Sequence, residues 1–136
     1  MPKSFSAKSQ GEWAEVCFLM RATSLGLTIS QPFGDAKYDF ILDNGRHLHR
    51  VQVKSVSVPD RCQAGCRISS GSGGGSRRPY TAREIDFLAA CILPEDVWYI
   101  LPVAAFAPVK TIRLCPDRRL RDRFAPFREA WELLLP

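Results

Sequence analysis

The chain has 136 residues, enough for one compact domain and hardly for two. Hydrophobic residues make up 46% and the formal charge is +5, which supports a packed core, argues against wholesale disorder and points to a polyanionic partner. No apolar run reaches the roughly 18 residues of a membrane helix, and the opening MPKSFSAKSQGEW lacks the apolar stretch of a secretory leader, so an intracellular, cytoplasmic protein is the expectation.

The first element in chain order is a helix over about 9–25, with Trp13, Val16, Cys17, Phe18, Leu19 and Met20 as a broad apolar surface, Ser9 as N-cap and Gly26 as stop. Short β-branched LTIS (27–30) predicts a strand, KYDFILD (37–43) a second and HLHRVQVKSVSV (47–58) a third. Asp43-Asn44-Gly45 between the last two is a hairpin signal, because Asn and Gly tolerate positive φ. A basic segment rich in Gly and Ser reads as a mobile loop over 59–79. Thr81 and Glu84 then form a T-x-x-E capping box, predicting a helix through Ile85, Leu88, Ala89 and Ile92 that Pro94 ends. VWYILPV (97–103) predicts a buried strand and KTIRL (110–114) another, and the tail reads as two short helical pieces broken at Pro126. A mixed sheet flanked by helices is the simplest packing of this α/β order.

The charge is concentrated. Residues 61–83 carry five arginines and no acid, residues 84–109 four acids and no base, and the flanking segments are weakly positive. The basic loop follows directly on the third strand. The five cysteines are odd in number and far apart, which argues for a reducing compartment over a disulfide scaffold. Cys62 and Cys66 form a C-x3-C pair and His47 and His49 share one face of a strand, a zinc ligand set by composition, although the spacing matches no compact finger.

Four polar residues stand where the local pattern prefers apolar ones. Glu15 lies on a mostly apolar helix, and Asp39 interrupts YDFIL. Gln52 and Lys54 alternate with Val51 and Val53, so the period of two puts them on one face. Buried charge is costly unless paired or metal-bound. Carboxylates holding a hard cation, an amide oxygen and a lysine beside them are the parts that metal-assisted phosphodiester hydrolysis needs.

Asp39, followed after a hairpin by Gln52-Val53-Lys54, resembles the active-site signature of the PD-(D/E)XK nucleases, and the element order resembles their αβββαβ core. Gly11, Glu15 and Gly26 resemble the G-x-x-x-E…G pattern of archaeal Holliday-junction resolvases. The YD strand, the QVK strand, the basic loop, Tyr80 with Ile85-Asp86, and Trp98, Tyr99, Ile100 and Pro102 are similar to the homing endonucleases of bacterial group I introns. The resemblance spans about residues 8–103, with 104–136 as a C-terminal extension. It implies a restriction-endonuclease-like fold and a Mg²⁺-dependent DNA endonuclease, with Mn²⁺ as a substitute. Glu15, Asp39 and Gln52 are the implied metal ligands, and Lys54 the residue that orients the nucleophile or stabilises charge on phosphorus. Arg61, Arg67, Arg77, Arg78, Tyr80 and Arg83 are the implied contacts to double-stranded DNA. Two strands need two sites, so a homodimer or dimer of dimers is implied, with the tail WELLLP as a contact.

The residues leave other readings open. Asp39 and Lys54 also fit a structural salt bridge, Glu12 rather than Glu15 fits the helix acid, Tyr80 fits core packing, and the arginines at 118, 119, 121 and 123 fit a solvated face. Tyr38 stands where the signature has proline, and Gln52 where it usually has an acid. That neutral residue suits a catalytically weak DNA-binding module on the same fold, and a structure-selective junction-resolving or repair nuclease is the other reading left open.

Overall fold

The computed structural model describes residues 6–57, 65–72, 78–117 and 119–136. Helix α1 (Ala7–Ser24) starts one turn earlier than the apolar pattern suggests: Ser6, not Ser9, is the N-cap, its hydroxyl accepting from the Ser9 amide at 3.1 Å. The chain leaves α1 through Gly26 at φ +82, a left-handed conformation that glycine adopts without penalty. It then forms β1 (Thr28–Ser30), β2 (Phe40–Asp43) and β3 (Leu48–Val56). The β2–β3 hairpin turns at Asn44-Gly45, where the Asn44 side chain accepts from the Arg46 and His47 amides.

The residues after β3 differ from the expectation. Three strands lie in the segment read as a loop: β4 (Cys66–Ser69), β5 (Gly71–Ser72) and β6 (Arg78–Pro79). Cys66, Ile68 and Ser70 are buried there. Gly65 admits the chain to β4 at φ +109, and a Cβ on it would lie 2.6 Å from the Leu114 carbonyl oxygen.

The predicted helix over 81–92 is absent. Thr81 and Glu84 make the capping-box contacts, with Glu84 Oε1 accepting from the Thr81 amide and hydroxyl at 3.2 Å, but they close a turn. The chain continues as β7 (Phe87–Ile92), parallel to β3 and antiparallel to β8 (Val97–Pro102). A strand covered on both faces is an unbroken apolar run without periodicity, which a helical reading absorbs equally well. The αβββαβ order therefore holds in its strands, while among the described residues the β3–β7 crossover carries no helix. A short α2 (Val103–Phe106) and β9 (Thr111–Leu114) follow. In the tail Pro126 sits inside a 3-10 turn (Ala125–Phe127) instead of breaking a helix, and Trp131–Leu134 forms another.

The strands assemble into a five-stranded mixed sheet, β1-β2-β3-β7-β8, and an antiparallel ribbon, β4–β9. Between α1 and the sheet, Phe18 contacts Phe40, Trp98 and Trp131 at ring-centroid distances of 5.7, 5.8 and 5.8 Å. Leu88, Ala90, Tyr99 and Leu101 line the other face with Ile68, Ile112 and Leu114 of the ribbon. The tail closes the α1 side: Trp131 and Leu134 of WELLLP are buried in the core, which leaves Leu133 as its exposed large apolar side chain.

Candidate active site

Asp39 sits where β2 begins. Its amide donates to the Val51 carbonyl at 2.9 Å, and its carboxylate accepts from the Val53 amide at 2.8 Å. The side chain thus occupies the place of a ladder partner to β3, which fixes its position through backbone geometry. Helix α1 brings Glu15 against it. Glu15 is held up at about pKa 7, first by burial, then by the charge of Asp39 and a hydrogen bond to it. Burial also raises Asp39, while the Val53 amide, the bond from Glu15 and the charge of Lys54 hold it down. Glu15 is therefore the proton donor and Asp39 the acceptor of a shared proton near neutrality.

The two acids border a cavity of about 300 Å³ that Gln52, Gly11 and Glu12 also line, and a second of about 350 Å³ beside Gln31 and Asp35. Glu12 adds charge to the site, but Glu15 is the glutamate bonded to Asp39. Val51 and Val53 are buried towards α1 and Phe40, so Gln52 and Lys54 share the opposite face of β3, as the alternation predicts. The Lys54 ammonium lies 5.9 Å from the Tyr80 ring centroid. The structure thus brings Glu15, Asp39 and Gln52 to one cavity, with Lys54 acting on Asp39 through its field.

Two carboxylates close enough to share a proton form a place that a divalent cation suits: it would displace the proton and neutralise both charges. The donor set is all oxygen, two carboxylates and the Gln52 amide, and fits a hard cation. Among the described residues no group of three or more His, Cys, Asp and Glu side chains is arranged around a metal position. For the zinc alternative, Cys62 lies outside the described residues, Cys66 is buried, and the His47 and His49 rings are 6.1 Å apart by centroid.

Of the DNA-contact candidates, Arg61 and Arg77 lie outside the described residues. Arg67 is exposed on β4, and Arg83 is exposed in the 82–84 turn. Arg78 makes a two-bond pair with Glu84 at 2.9 and 2.8 Å. Tyr80 is 4% exposed, so its ring packs in the core and is not presented for stacking.

The sequence reading missed the supports of the site. Arg50 binds both Asp86 carboxylate oxygens, at 3.1 and 3.0 Å, and the Ala82 and Arg83 carbonyls, pinning the 82–84 turn to β3. The Arg and Asp are 36 positions apart, so no local pattern marks them as partners. Glu129 likewise binds the Trp98 amide, the Trp131 indole N–H and Arg21 at 2.9, 2.7 and 2.7 Å.

The five-stranded mixed sheet with its helices has the architecture of restriction-endonuclease-like nuclease folds. The family described as PD-(D/E)XK endonuclease matches residues 5–134, and the chain belongs to it. Among solved structures it is similar to the bacterial homing endonuclease I-Ssp6803I, at 29% identity and a TM-score of 0.83, over 96% of this chain and 94% of that one. It is also similar to Hjc, a Holliday junction resolvase from the archaeal hyperthermophile Archaeoglobus fulgidus, at 17% identity and a TM-score of 0.57, over 93% and 96%. At that identity the second likeness is one of fold. No curated protein sequence matches the chain. No helix among the described residues is long and apolar enough to cross a membrane.

Proposed function

We propose that the chain is a Mg²⁺-dependent endonuclease of double-stranded DNA, homing-endonuclease-like, with Mn²⁺ able to substitute. The observation that carries the reading is the convergence of Glu15, Asp39 and Gln52 on one cavity, with Lys54 close enough to act on Asp39 by its charge, in a member of an endonuclease family. Glu15 and Asp39 would hold the ion, with the Gln52 amide oxygen as a neutral ligand. The ion would supply polarisation of the phosphate and a water of lowered pKa. Asp39 keeps its carboxylate in place through the Val53 amide. Lys54 carries the positive charge that orients the nucleophile or balances charge growing on the phosphoryl oxygens. Arg67 and Arg83 supply exposed positive charge for the phosphate backbone, and Arg61 and Arg77 belong to the same basic stretch of the sequence.

Cutting both strands calls for two copies. Trp13, Val16 and Met20, at helical spacing on α1, are 42%, 58% and 66% exposed and offer an apolar stripe for that contact. Charge at Val16 and Met20 together should leave a monomer by light scattering; an unaltered mass would place the interface elsewhere.

The test of function is nicking of supercoiled plasmid with Mg²⁺. Asp39→Ala and Lys54→Ala should abolish nicking while circular dichroism and melting show a folded chain. Nicking at wild-type rate by both would end the assignment. The neutral Gln52 favours one other reading, a weakly catalytic DNA-binding module; DNA binding without Mg²⁺ or Mn²⁺ binding by calorimetry would select it. Cleavage of a four-way junction in preference to linear duplex would select a structure-selective enzyme.

A further inference from the structure

We propose that Phe33 is an apolar wedge: its ring enters the base stack of duplex DNA near the bond to be cut, opens one base step and holds the duplex bent over the Glu15–Asp39 cavity. This rests on the endonuclease reading and adds a positioning residue that would favour cutting near steps that unstack easily.

The loop between β1 and β2, QPFGDAKY over 31–38, is tied down at both ends. Ser30 pairs with Ile41 across the β1–β2 ladder, and the Asp39 amide bonds to the Val51 carbonyl. Lys37 donates to the Ser72 hydroxyl at 3.2 Å. Between these anchors Pro32 has a restricted φ, and Gly34 takes φ +92, a left-handed conformation that suits glycine. Pro32 and Gly34 bracket a single residue, and its side chain projects. Phe33 is 108% exposed, whereas Met20, the next most exposed large apolar side chain among the described residues, is at 66%. A phenyl ring held wholly in water forgoes the burial that ordinarily places it in a core. No packing within the protein accounts for its position.

The neighbourhood of the ring identifies its partner. Residues on both sides of it, from Gln31 to Ala36, line the cavity of about 350 Å³ together with Glu15 and Asp39. The ring therefore stands at the rim of the place that would receive the phosphate. Phe33 is six positions from Asp39, at most about 20 Å of chain, or about six base pairs of duplex. A duplex whose phosphate reaches Asp39 thus brings a nearby base step within range of the ring.

A lone ring suits bases better than a protein surface. The exposed neighbours Gln31, Gly34, Asp35, Ala36 and Lys37 are polar or small, so Phe33 is not part of the contiguous apolar patch that marks a protein interface. Phenylalanine is among the side chains that insert between base steps, unstack them and kink the duplex. The cost of opening depends on the step, and pyrimidine–purine steps open most readily. A wedge therefore gives a sequence preference without hydrogen bonds to base edges.

The experiment maps the nicks made in supercoiled plasmid with Mg²⁺ and rebuilds one mapped site as a linear duplex. 2-Aminopurine, which brightens when it leaves the stack, is placed in turn at each position within about six base pairs of the nick. Binding is read in EDTA, so that no strand is cut. Wild-type protein should brighten one step. Phe33→Ala should bind without brightening any, and Phe33→Leu, which keeps an apolar wedge, should brighten the same step. All three should melt alike, because the ring is exposed. With Mg²⁺, Phe33→Ala should lower kcat by about 5- to 150-fold, the range that one base–aromatic stack supports, with KM little changed. On a duplex mismatched at the opened step the stack is already broken, so the deficit should close. The proposal is overturned if wild-type protein nicks and binds while no position brightens, if Phe33→Ala brightens the step as wild type does, or if its kcat deficit is equal on both duplexes. A lower mass of Phe33→Ala by light scattering would make the ring a contact between copies and overturn it too. In each of these cases the nuclease assignment stands. If wild-type protein neither nicks nor binds DNA, that assignment falls and the wedge with it.

Discussion

A divalent cation that binds Glu15 and Asp39 must first expel the proton they share, so its affinity should fall steeply just below neutral pH. With Glu15 at about 7, a cation that binds only the deprotonated pair should bind about tenfold more weakly at pH 6 than at pH 8. It should release close to one proton per ion at pH 6 and about a tenth of one at pH 8. The assay is Mn²⁺ titration calorimetry in buffers of different protonation enthalpy, which counts the protons. The same proton governs stability without metal. Glu15 holds it more tightly folded than unfolded, so as pH rises from 4.5 to about 7 the native state becomes less stable. Glu15 is partly exposed, and screening reduces the effect to on the order of 1–2 kcal/mol, about 3–8 °C in Tm for a domain of this size. Glu15→Gln should flatten both pH profiles and raise Tm at pH 8 in EDTA. Equal Mn²⁺ affinity at pH 6 and pH 8 with no proton release, or a tenfold dependence that survives in Glu15→Gln, would refute the shared-proton site.

Phe18→Ala should cost about 3–5 kcal/mol by urea unfolding, because Phe18 is fully buried and touches three aromatic rings; a loss below 1 kcal/mol would contradict the packing. Glu129→Ala leaves the Trp98 amide and Trp131 indole without their acceptor and should cost about 2–4 kcal/mol in the same measurement. Burial raises Asp86, but its bonds from Arg50 outweigh that and hold it below the usual carboxylate range. Its stabilisation is thus present above the unfolded pKa and lost as pH falls through the folded one, so the deficit of Asp86→Asn should shrink in acid. A deficit that stays constant between pH 7 and pH 3 would contradict the pairing.

What was legible in the sequence divides by the range of the interaction. Asn44-Gly45 predicts its hairpin because the turn needs positive φ at a glycine, here +87, which is a property of the residues themselves. Alternation along Val51, Gln52, Val53 and Lys54 predicts which side chains are buried, Val51 and Val53, and which are left partly exposed, Gln52 and Lys54, because the pleat has period two. The run Phe87–Ile92 carries no such signal: both faces are buried, so only the neighbouring strands decide that it is a strand. The ribbon was hidden for a related reason. Its two strands lie more than 40 residues apart, and Cys66 and Ile68 are alternate apolar positions inside a stretch whose composition is that of a loop. The acids were legible as misfits on apolar elements, whereas their shared proton depends on how close α1 brings Glu15 to Asp39, which spacing along the chain does not determine.

Gly11 joins the misfits of stability to the site. It sits inside α1, where glycine costs about 0.5–1 kcal/mol relative to alanine, and a Cβ there would meet nothing within 4 Å. No contact within the protein explains it. It does line the cavity of Glu15, Asp39 and Gln52, so the space it leaves open faces the place where the substrate phosphate would come. The same division applies to the acids: they destabilise the chain above neutral pH in the absence of a cation, and they are the ligands proposed for one. Gly11→Ala should therefore raise Tm by about 2–5 °C, while lowering the rate of plasmid nicking at saturating Mg²⁺. A variant both more stable and equally fast would show that the opening at Gly11 is not used by the substrate.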